Sequence, residues 1–252
     1  MAFDVAADSY DKFMGRYSAQ LSPQFADFAG VEDGARVLDV GCGPGALTAE
    51  LVGRRAHVSA VDPSSQFVAA VRERYPDVDV EQATAEELPF EDASFDAALA
   101  QLVVHFMADP VRGLSEMARV SRDGGVVAAS VWDLAGGQSP MTPFWSAART
   151  LDSTVQGETE RAGAGEGQLP DLFLDAGLTD ITETALPVHV EHPTFEEWWL
   201  PFTLGVGPAG GYYRQLEPAK QEELEQLLRA QLGETVKLAS RAWAARGIAR
   251  RP

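Results

Sequence analysis

The chain has 252 residues, of which 45% are hydrophobic and 23% are charged, so it can form one large α/β domain with an added lid. Its 38 acidic and 20 basic residues give a net charge of -18, which argues against nucleic acid or an anionic membrane surface as a partner and fits a small or neutral substrate. The acidity could equally serve solubility alone. Cys42, the single cysteine, excludes an internal disulfide and favours a cytoplasmic location. The first residues lack the segments of a signal peptide and no apolar run is long enough to span a bilayer, so a soluble intracellular protein is expected.

The first 35 residues carry aromatic and aliphatic side chains at helical spacing, ending at Gly30 and Gly34. This pattern predicts one or two helices before the core. Tyr10 and Tyr17 lie on this segment, and packing into the core is an ordinary role for aromatic side chains there.

A buried strand with Val37, Leu38 and Val40 then runs into a glycine-rich turn and a helix. Gly41, Gly43 and Gly45 let the turning backbone approach a ligand closely, and the N-terminal amides of the helix face the same cleft. Formally the turn satisfies the dinucleotide pattern G-x-G-x-x-G/A, so a nicotinamide or flavin cofactor has to be considered. Asp39, inside the strand, favours a ligand with a cationic head over a pyrophosphate.

A second strand, 57–62, ends in Asp62, which follows Gly45 by 17 positions. A carboxylate at the end of the second strand is placed to accept hydrogen bonds from both ribose hydroxyls of a nucleoside. A helix at 64–75 and strands at 78–82 and 92–100 continue the βαβ alternation. Gln101 and His105 follow the fourth strand, at the sheet edge where ligands of open α/β sheets bind. His105 is therefore a candidate general base, although a histidine packed behind the cofactor fits equally well.

The remaining chain predicts a helix at 109–120, a strand at 124–132, a helix at 169–176 and strands at 181–190 and 236–244. Two insertions interrupt this core, near 133–167 and 191–231. Their aromatic residues and one histidine are candidate substrate contacts, namely Phe144, Trp145, His192, Trp198, Trp199 and Tyr212. Two alternatives for the aromatic residues are the small core of the lid itself and a dimer contact, and monomer and homodimer stay open. His189 and His192 form an H-x-x-H on a strand, where two ligands are not aligned, so no metal site is expected.

The segment from Val37 to Gly45 resembles motif I of the class I S-adenosylmethionine-dependent methyltransferases, and the resemblance extends over 36–132. It implies that Gly41, Gly43 and Gly45 line the cofactor, with Asp39 close to its amino group. By the same resemblance, further cofactor contacts fall on Asp62, Gln101, Thr84, Ala85, Tyr10 and Tyr17. Thr84 replaces the acid that is usual beside the adenine.

The fold that this resemblance implies is α/β, a Rossmann-like seven-stranded, mostly parallel sheet whose last strand runs antiparallel at the sheet edge, flanked by helices. Residues 1–35 are expected to form a helical cofactor cover and 36–132 the S-adenosylmethionine-binding core. Residues 133–252 are expected to complete the core and to supply the lid.

The implied function is in-line transfer of a methyl group to oxygen, nitrogen or carbon of a small, apolar or aromatic metabolite. Cytosine C5 methylation needs a nucleophilic cysteine after the fourth strand, whereas Cys42 lies in the glycine loop, and arsenic methylation needs several thiols. The Asn/Asp-Pro-Pro-aromatic motif of amino-methylating nucleic-acid enzymes is absent after the fourth strand. Three alternatives stay open, which are a protein or RNA methyltransferase, a catalytically silent cofactor-binding module and a dehydrogenase.

Overall fold

A computed structural model describes residues 10–250, in which seven strands form one mixed sheet of order β3-β2-β1-β4-β5-β7-β6. The strands are β1 Arg36–Val40, β2 His57–Asp62, β3 Asp79–Gln82, β4 Phe95–Gln101, β5 Ser121–Trp132, β6 Thr179–His192 and β7 Val236–Ile248. The first five strands are parallel to one another, whereas β7 is antiparallel to both β5 and β6. The predicted fold class, a Rossmann-like sheet of mostly parallel strands, is therefore confirmed.

The position of the last strand differs from the prediction. β7 does not form the sheet edge but is inserted between β5 and β6, and β6 is the edge strand. The burial of the two strands explains this order, because Ala242, Ala244 and Ala245 of β7 are all fully buried, as in a strand covered on both faces. In β6 buried and exposed residues alternate from Leu186 to His192, which suits an edge strand with only one covered face.

Helices cover the sheet, and those predicted at 64–75, 109–120 and 169–176 lie close to their predicted bounds, whereas the helices within the two insertions were not predicted. The helical elements are a π-helical turn Asp11–Gly15 followed by α1 Arg16–Ala29, then α2 Ala46–Gly53, α3 Ser65–Arg74, α4 Pro110–Val120, α5 Thr142–Leu151, α6 Gln168–Asp175, α7 Phe195–Thr203, α8 Gly207–Gln215 and α9 Pro218–Leu232. α1 packs against α2 and β6, whereas α4 packs against α6 and β5. Within residues 10–250, no helix combines the length and the apolar character that crossing a bilayer requires.

The second insertion is helical, because α7, α8 and α9 occupy most of the chain between β6 and β7. Aromatic rings of α5 and α7 pack face to face, with the ring centroids of Phe144 and Phe202 4.9 Å apart and their planes inclined by 10°. Trp199 lies beside them and meets the ring of Tyr213 edge-on at 5.0 Å. We call Phe144, Trp145, Trp198, Trp199, Phe202 and Tyr212 the lid cluster.

Candidate active site

The glycine loop between β1 and α2 adopts a backbone that ordinary residues avoid. Gly41, Gly43 and Gly45 have φ values of 70°, 52° and 100°, in the left-handed region. A Cβ on Gly41 would lie 2.6 Å from a methyl group of Val103, whereas a Cβ on Gly43 would meet no protein atom within 4 Å. The loop thus packs tightly at Gly41 and leaves open space at Gly43.

Asp62 closes the loop from the end of β2. Its Oδ2 accepts a hydrogen bond from the Gly43 N–H at 2.9 Å, and its Oδ1 accepts one from the Ser64 N–H at 2.8 Å. Burial raises the pKa of Asp62, and these two backbone donors oppose the rise. A carboxylate has about four acceptor sites, so Asp62 is held in place and retains capacity for two ligand hydroxyl groups.

The glycine loop and Asp62 border a cavity of about 320 Å³, which we call the loop cavity. Its lining consists of Tyr10, Gly41, Gly43, Asp62, Pro63, Ser64, Phe67, Gln101, Leu102, Val103, Phe106 and Arg161. A flanking cavity of about 630 Å³ shares Gly41, Pro63, Val103 and Phe106 with it and is also lined by Thr84 and Ala85. The structure therefore brings most of the cofactor-binding candidates to one cleft at the carboxyl ends of β1, β2 and β4.

Three of the cofactor-binding candidates lie outside the linings of these cavities. Asp39 is buried and its Oδ2 accepts a hydrogen bond from Thr48 Oγ1 at 2.7 Å; burial raises its pKa to about 7. A Cβ on Gly45 would lie 3.1 Å from the Tyr75 ring, so Gly45 serves close packing.

Tyr17, the third of these candidates, contacts β6 instead of the loop cavity. Its hydroxyl lies 2.7 Å from Nε2 of His192, and its ring meets Trp132 edge-on at 6.3 Å. The contact joins α1 to the end of β6. Burial lowers the pKa of His192 to about 4. The positive charge of Arg16 lowers this pKa slightly further, and the negative charge of Glu197 raises it slightly.

A second, smaller cavity adjoins the loop cavity and shares Tyr10, Leu102 and Phe106 with it. We call it the inner cavity; its other lining residues are Phe13, Met14, His105, Trp132, Met141, Glu158, Pro208 and Ala209. The volume is only about 30 Å³, about the space of one water molecule. Its wall is apolar except for the tyrosine, the histidine and the carboxyl group.

His105 lies at the inner cavity as a neutral imidazole. It is 7% exposed, and burial, helped by the positive charge of Arg161, lowers its pKa to about 3. Its Nδ1 atom is buried and has no hydrogen-bond partner among the described residues. An unpaired buried nitrogen is costly, so a ligand that bonds to this imidazole would gain free energy.

Glu158 and Arg161 also line these cavities, and the sequence pattern did not single them out. Glu158 Oε2 accepts a hydrogen bond from the indole Nε1 of Trp145 at 3.0 Å, and burial raises the pKa of this carboxyl group. Arg161 reaches the loop cavity from the same turn. Charged residues within a Gly-rich insertion give no periodic signal, and only the fold brings them beside β4.

The lid cluster provides little of the cavity wall. Phe144 is fully buried, and Phe144, Trp145, Trp199 and Tyr212 belong to the lining of neither the loop cavity nor the inner cavity. His192 and Trp198 line a separate, narrower space of about 10 Å³ that also touches Phe13 and Met14. The proposed substrate contacts therefore do not line the inner cavity, although Trp145 bonds to Glu158, which does.

Two observations test whether a nucleoside cofactor fits the cleft. The side of Gly43 that faces away from its neighbours is open, as a close approach of a ligand to the backbone requires. Gln101 lines the loop cavity, and its side-chain oxygen Oε1 is buried without a hydrogen-bond partner within residues 10–250. Together with the carboxylate of Asp62, these features fit S-adenosylmethionine. No cluster of three His, Cys, Asp or Glu residues suitable for a metal ion occurs in the described part of the chain.

Comparison with known proteins points to the same class. Residues 38–129 match the family model described as "Methyltransferase domain". A Mycobacterium tuberculosis protein named a probable S-adenosylmethionine-dependent methyltransferase is 36% identical over 155 residues, which cover 60% of this chain and 51% of the relative. The malonyl-[acyl-carrier protein] O-methyltransferase of Erwinia billingiae is 33% identical over 126 residues, or 50% of each chain. The solved YcgJ protein of Bacillus subtilis shares the fold, with a TM-score of 0.60 at 18% identity over 92% of this chain and 98% of that one.

Residues 38–129 are a methyltransferase domain, and the comparisons support its assignment to the class I S-adenosylmethionine-dependent methyltransferases, whose cofactor is S-adenosylmethionine. The sequence-based identification of the class and the cofactor is thus confirmed, and the dehydrogenase alternative has no support. The chain spans about half the length of the curated relatives it matches.

Proposed function

We propose that the protein transfers a methyl group from S-adenosylmethionine to oxygen, nitrogen or carbon of a small, apolar or aromatic acceptor. The observation that supports this most is the junction of the loop cavity with the inner cavity, where Tyr10, Leu102 and Phe106 line both. A cofactor in the first cavity and an acceptor in the second would meet at these three residues. Alignment of this kind supplies most of the catalysis in a direct displacement.

In this proposal the residues of the loop cavity bind and orient. S-Adenosylmethionine supplies an electrophilic methyl group on its sulfonium. Asp62 accepts hydrogen bonds from the ribose hydroxyls, and the open backbone at Gly43 admits the methionyl arm. Thr84 and Ala85, in the flanking cavity, contact the adenine, and Tyr10 closes the cleft from the N-terminal side.

On the acceptor side, the chain excludes water and offers the imidazole of His105 as a proton acceptor. The apolar wall of the inner cavity suits an apolar acceptor. His105 is neutral at physiological pH because of its low pKa, so it can accept a hydrogen bond from an acceptor hydroxyl or amine. A strong general base is not required for attack on a sulfonium methyl group. His105 therefore acts mainly by positioning the attacking atom.

Acceptor binding requires movement, because about 30 Å³ is too small for a metabolite. Met14 from the π-helical turn and Ala209 from α8 are among the side chains that close the cavity. We expect α7 and α8 to shift relative to α5, so that the lid-cluster residues that they carry, Trp198, Trp199, Phe202 and Tyr212, come closer to the acceptor in the open form. The cytoplasm remains the proposed location, given the single cysteine.

Two kinds of alternative function are considered: one has a different methyl acceptor, and the other binds the cofactor without catalysis. A relative methylates a malonyl group carried by a protein, according to its name, so an acyl carrier is a further acceptor to test. A protein or RNA acceptor is opposed by the net charge of -18. A silent module would bind the cofactor and transfer nothing.

The first experiment is calorimetric titration with S-adenosylmethionine, with NADH as the control ligand. Wild-type protein should bind S-adenosylmethionine, and Asp62→Ala should bind it at least about tenfold more weakly, because a buried charge-assisted hydrogen bond contributes about 1.5–3 kcal/mol. Asp77→Ala is the control, because Asp77 is an exposed acid outside the cavities, and it should leave the affinity for S-adenosylmethionine unchanged. Preference for NADH would contradict the proposal.

The second experiment tests turnover. Protein loaded with methyl-labelled cofactor is incubated with pools of phenols, amines and carboxylic acids and with an acyl carrier protein, and the label is followed by mass spectrometry. Transfer of the labelled methyl group to a small molecule supports the proposal. Transfer only to protein or RNA would contradict the proposed small-molecule acceptor. Binding without transfer to any pool would favour the silent module.

A further inference from the structure

Arg161 lines the loop cavity but is not among the cofactor contacts proposed above. Among the described residues that line it, Asp62 and Arg161 are the charged ones, and Arg161 is the cation. Within residues 10–250 no carboxylate lies within ion-pair distance of its guanidinium, although ion pairs are common for the other arginine residues. Glu158 is close enough for the charge of Arg161 to lower the pKa of its carboxyl group, although burial outweighs this effect. The half-buried guanidinium thus makes no direct ion pair, which suits a site that receives an anion.

The position of Arg161 is set by contacts on both sides. Its backbone N–H donates to the Glu158 carbonyl at 3.2 Å, and its own carbonyl accepts from the Ala164 N–H at 3.1 Å. Its Nη1 lies 3.5 Å from the carbonyl oxygen of His105, and the guanidinium lies 5.6 Å from the Phe106 ring centroid. Glu158 is itself anchored to Trp145. The guanidinium is therefore held against the end of β4 and does not extend freely into solvent.

The charges of the cleft indicate which ligand group this arginine meets. In the proposed function Asp62 binds the ribose, so the methionyl arm extends from there past Gly43 towards the side of the cavity that Gln101, Phe106 and Arg161 form. That arm carries a carboxylate, which needs a cation or several N–H donors when it leaves water. Asp62 would repel this carboxylate, and Arg161 offers the matching charge in a two-pronged geometry.

We propose that Arg161, which enters the cavity from the loop between α5 and α6, binds the carboxylate of the methionyl arm of S-adenosylmethionine. The inference rests on the proposed function, since it places the cofactor in the loop cavity. It also gives the first insertion a second role, because the turn from Glu158 to Arg161 contributes to the walls of both cavities. Cofactor binding would then order the loop that borders the acceptor.

The test compares two ligands that differ only in the carboxylate. S-Adenosylhomocysteine keeps the whole methionyl arm without its methyl group, and its decarboxylated analogue, 5′-(3-aminopropylthio)-5′-deoxyadenosine, lacks the carboxylate. Calorimetry measures the Kd of each for wild type, Arg161→Met and Arg161→Lys. Arg149→Met is the matched control, because Arg149 is a partly buried arginine on the neighbouring α5 that lines neither cavity.

Wild type should bind S-adenosylhomocysteine about 10- to 100-fold more tightly than the decarboxylated analogue, as expected for a charge-assisted hydrogen bond. Arg161→Met should lose this difference by binding S-adenosylhomocysteine more weakly while its Kd for the analogue stays within about twofold. Arg161→Lys should keep part of the difference, because it keeps the charge without the planar fork. Arg149→Met should behave as wild type.

Two results would overturn the inference while leaving the proposed function intact. One is an unchanged affinity of Arg161→Met for S-adenosylhomocysteine, which would assign the arginine to an anionic group of the acceptor. The other is equal weakening for both ligands, which would mean a general disturbance of the cavity. If wild type binds neither ligand, the proposed function itself fails. Should Arg161→Met not fold, the comparison of the two ligands on wild type and on Arg161→Lys still decides the question.

Discussion

The backbone N–H of Gly43 donates a hydrogen bond to Oδ2 of Asp62 across 2.9 Å. This bond joins the glycine loop that follows β1 to the end of β2, the parallel strand beside β1. The N–H groups of Gly41 and Cys42 also donate to the Val61 carbonyl of β2, at 2.8 and 3.0 Å. The loop and the carboxylate are thereby one rigid unit. Their relative position is set before a ligand arrives, which lowers the entropic cost of binding.

Alanine substitutions at Gly41 and Gly43 of this loop are predicted to have different effects. Gly41→Ala would place a Cβ 2.6 Å from Val103, so this variant should be clearly less stable in urea unfolding. Gly43→Ala meets no protein atom and should lose only about 1–2 kcal/mol through its left-handed backbone. Its methyl group would enter the loop cavity, so its affinity for S-adenosylhomocysteine in calorimetry should fall by at least about tenfold. Unchanged affinity of Gly43→Ala would mean that the cofactor does not approach this backbone.

The buried contact of His192 with Tyr17 predicts a loss of stability in acid. The pKa of His192 is lowered from 6.5 to about 4 in the fold, so the unfolded chain binds the additional proton between these values. Stability should therefore be fully present above about pH 6.5 and fall towards pH 4, by at most about 1.4 kcal/mol per pH unit from this group. Urea unfolding at pH 7 and pH 5 measures the loss. In His192→Gln the free energy of unfolding should differ less between pH 7 and pH 5 than in wild type. An equal difference would assign the acid sensitivity to other groups.

His105 should leave no inflection in the pH profile of turnover between pH 5 and pH 8. Its pKa of about 3 keeps the imidazole neutral across this range. Once an acceptor is known, His105→Ala should lower kcat by about tenfold, the size expected for losing one hydrogen bond to the attacking group, without changing the shape of the profile. An inflection near pH 6.5 that disappears in the variant would instead show that His105 acts as a proton-transferring base.

Phe144 should matter for stability more than for acceptor contact. Its ring is fully buried and stacked on Phe202, so Phe144→Ala should lower the free energy of unfolding by about 3–5 kcal/mol. Leu200→Ala, at a leucine of α7 that is 49% exposed, is the control and should have little effect. The measurement is urea unfolding of both variants. A stable Phe144→Ala with a raised KM would show that the ring contacts the acceptor directly.

The predictable part of this protein is encoded in contiguous residues. The apolar run of β1, the glycines that follow and the acid at the end of β2 lie close together in the chain, and each local pattern has few physical solutions. Gly43 and Asp62 could therefore be assigned to one cleft before the fold was known. The same holds for the βαβ alternation of the first strands, because short connections through helices favour parallel neighbours in one sheet.

The remaining features depended on contacts between distant parts of the chain. β7 lies inside the sheet, paired with β5 on one side and β6 on the other, and a pattern along one strand does not reveal its neighbours. Tyr17 was expected at the cofactor but pairs with His192, 175 positions away in sequence. Arg161 reaches the loop cavity from an insertion that has no periodic pattern of its own. By itself the sequence determined the fold class and the cofactor, because both follow from local backbone chemistry; only the tertiary structure decided which side chains surround the acceptor, because that depends on how separate segments pack.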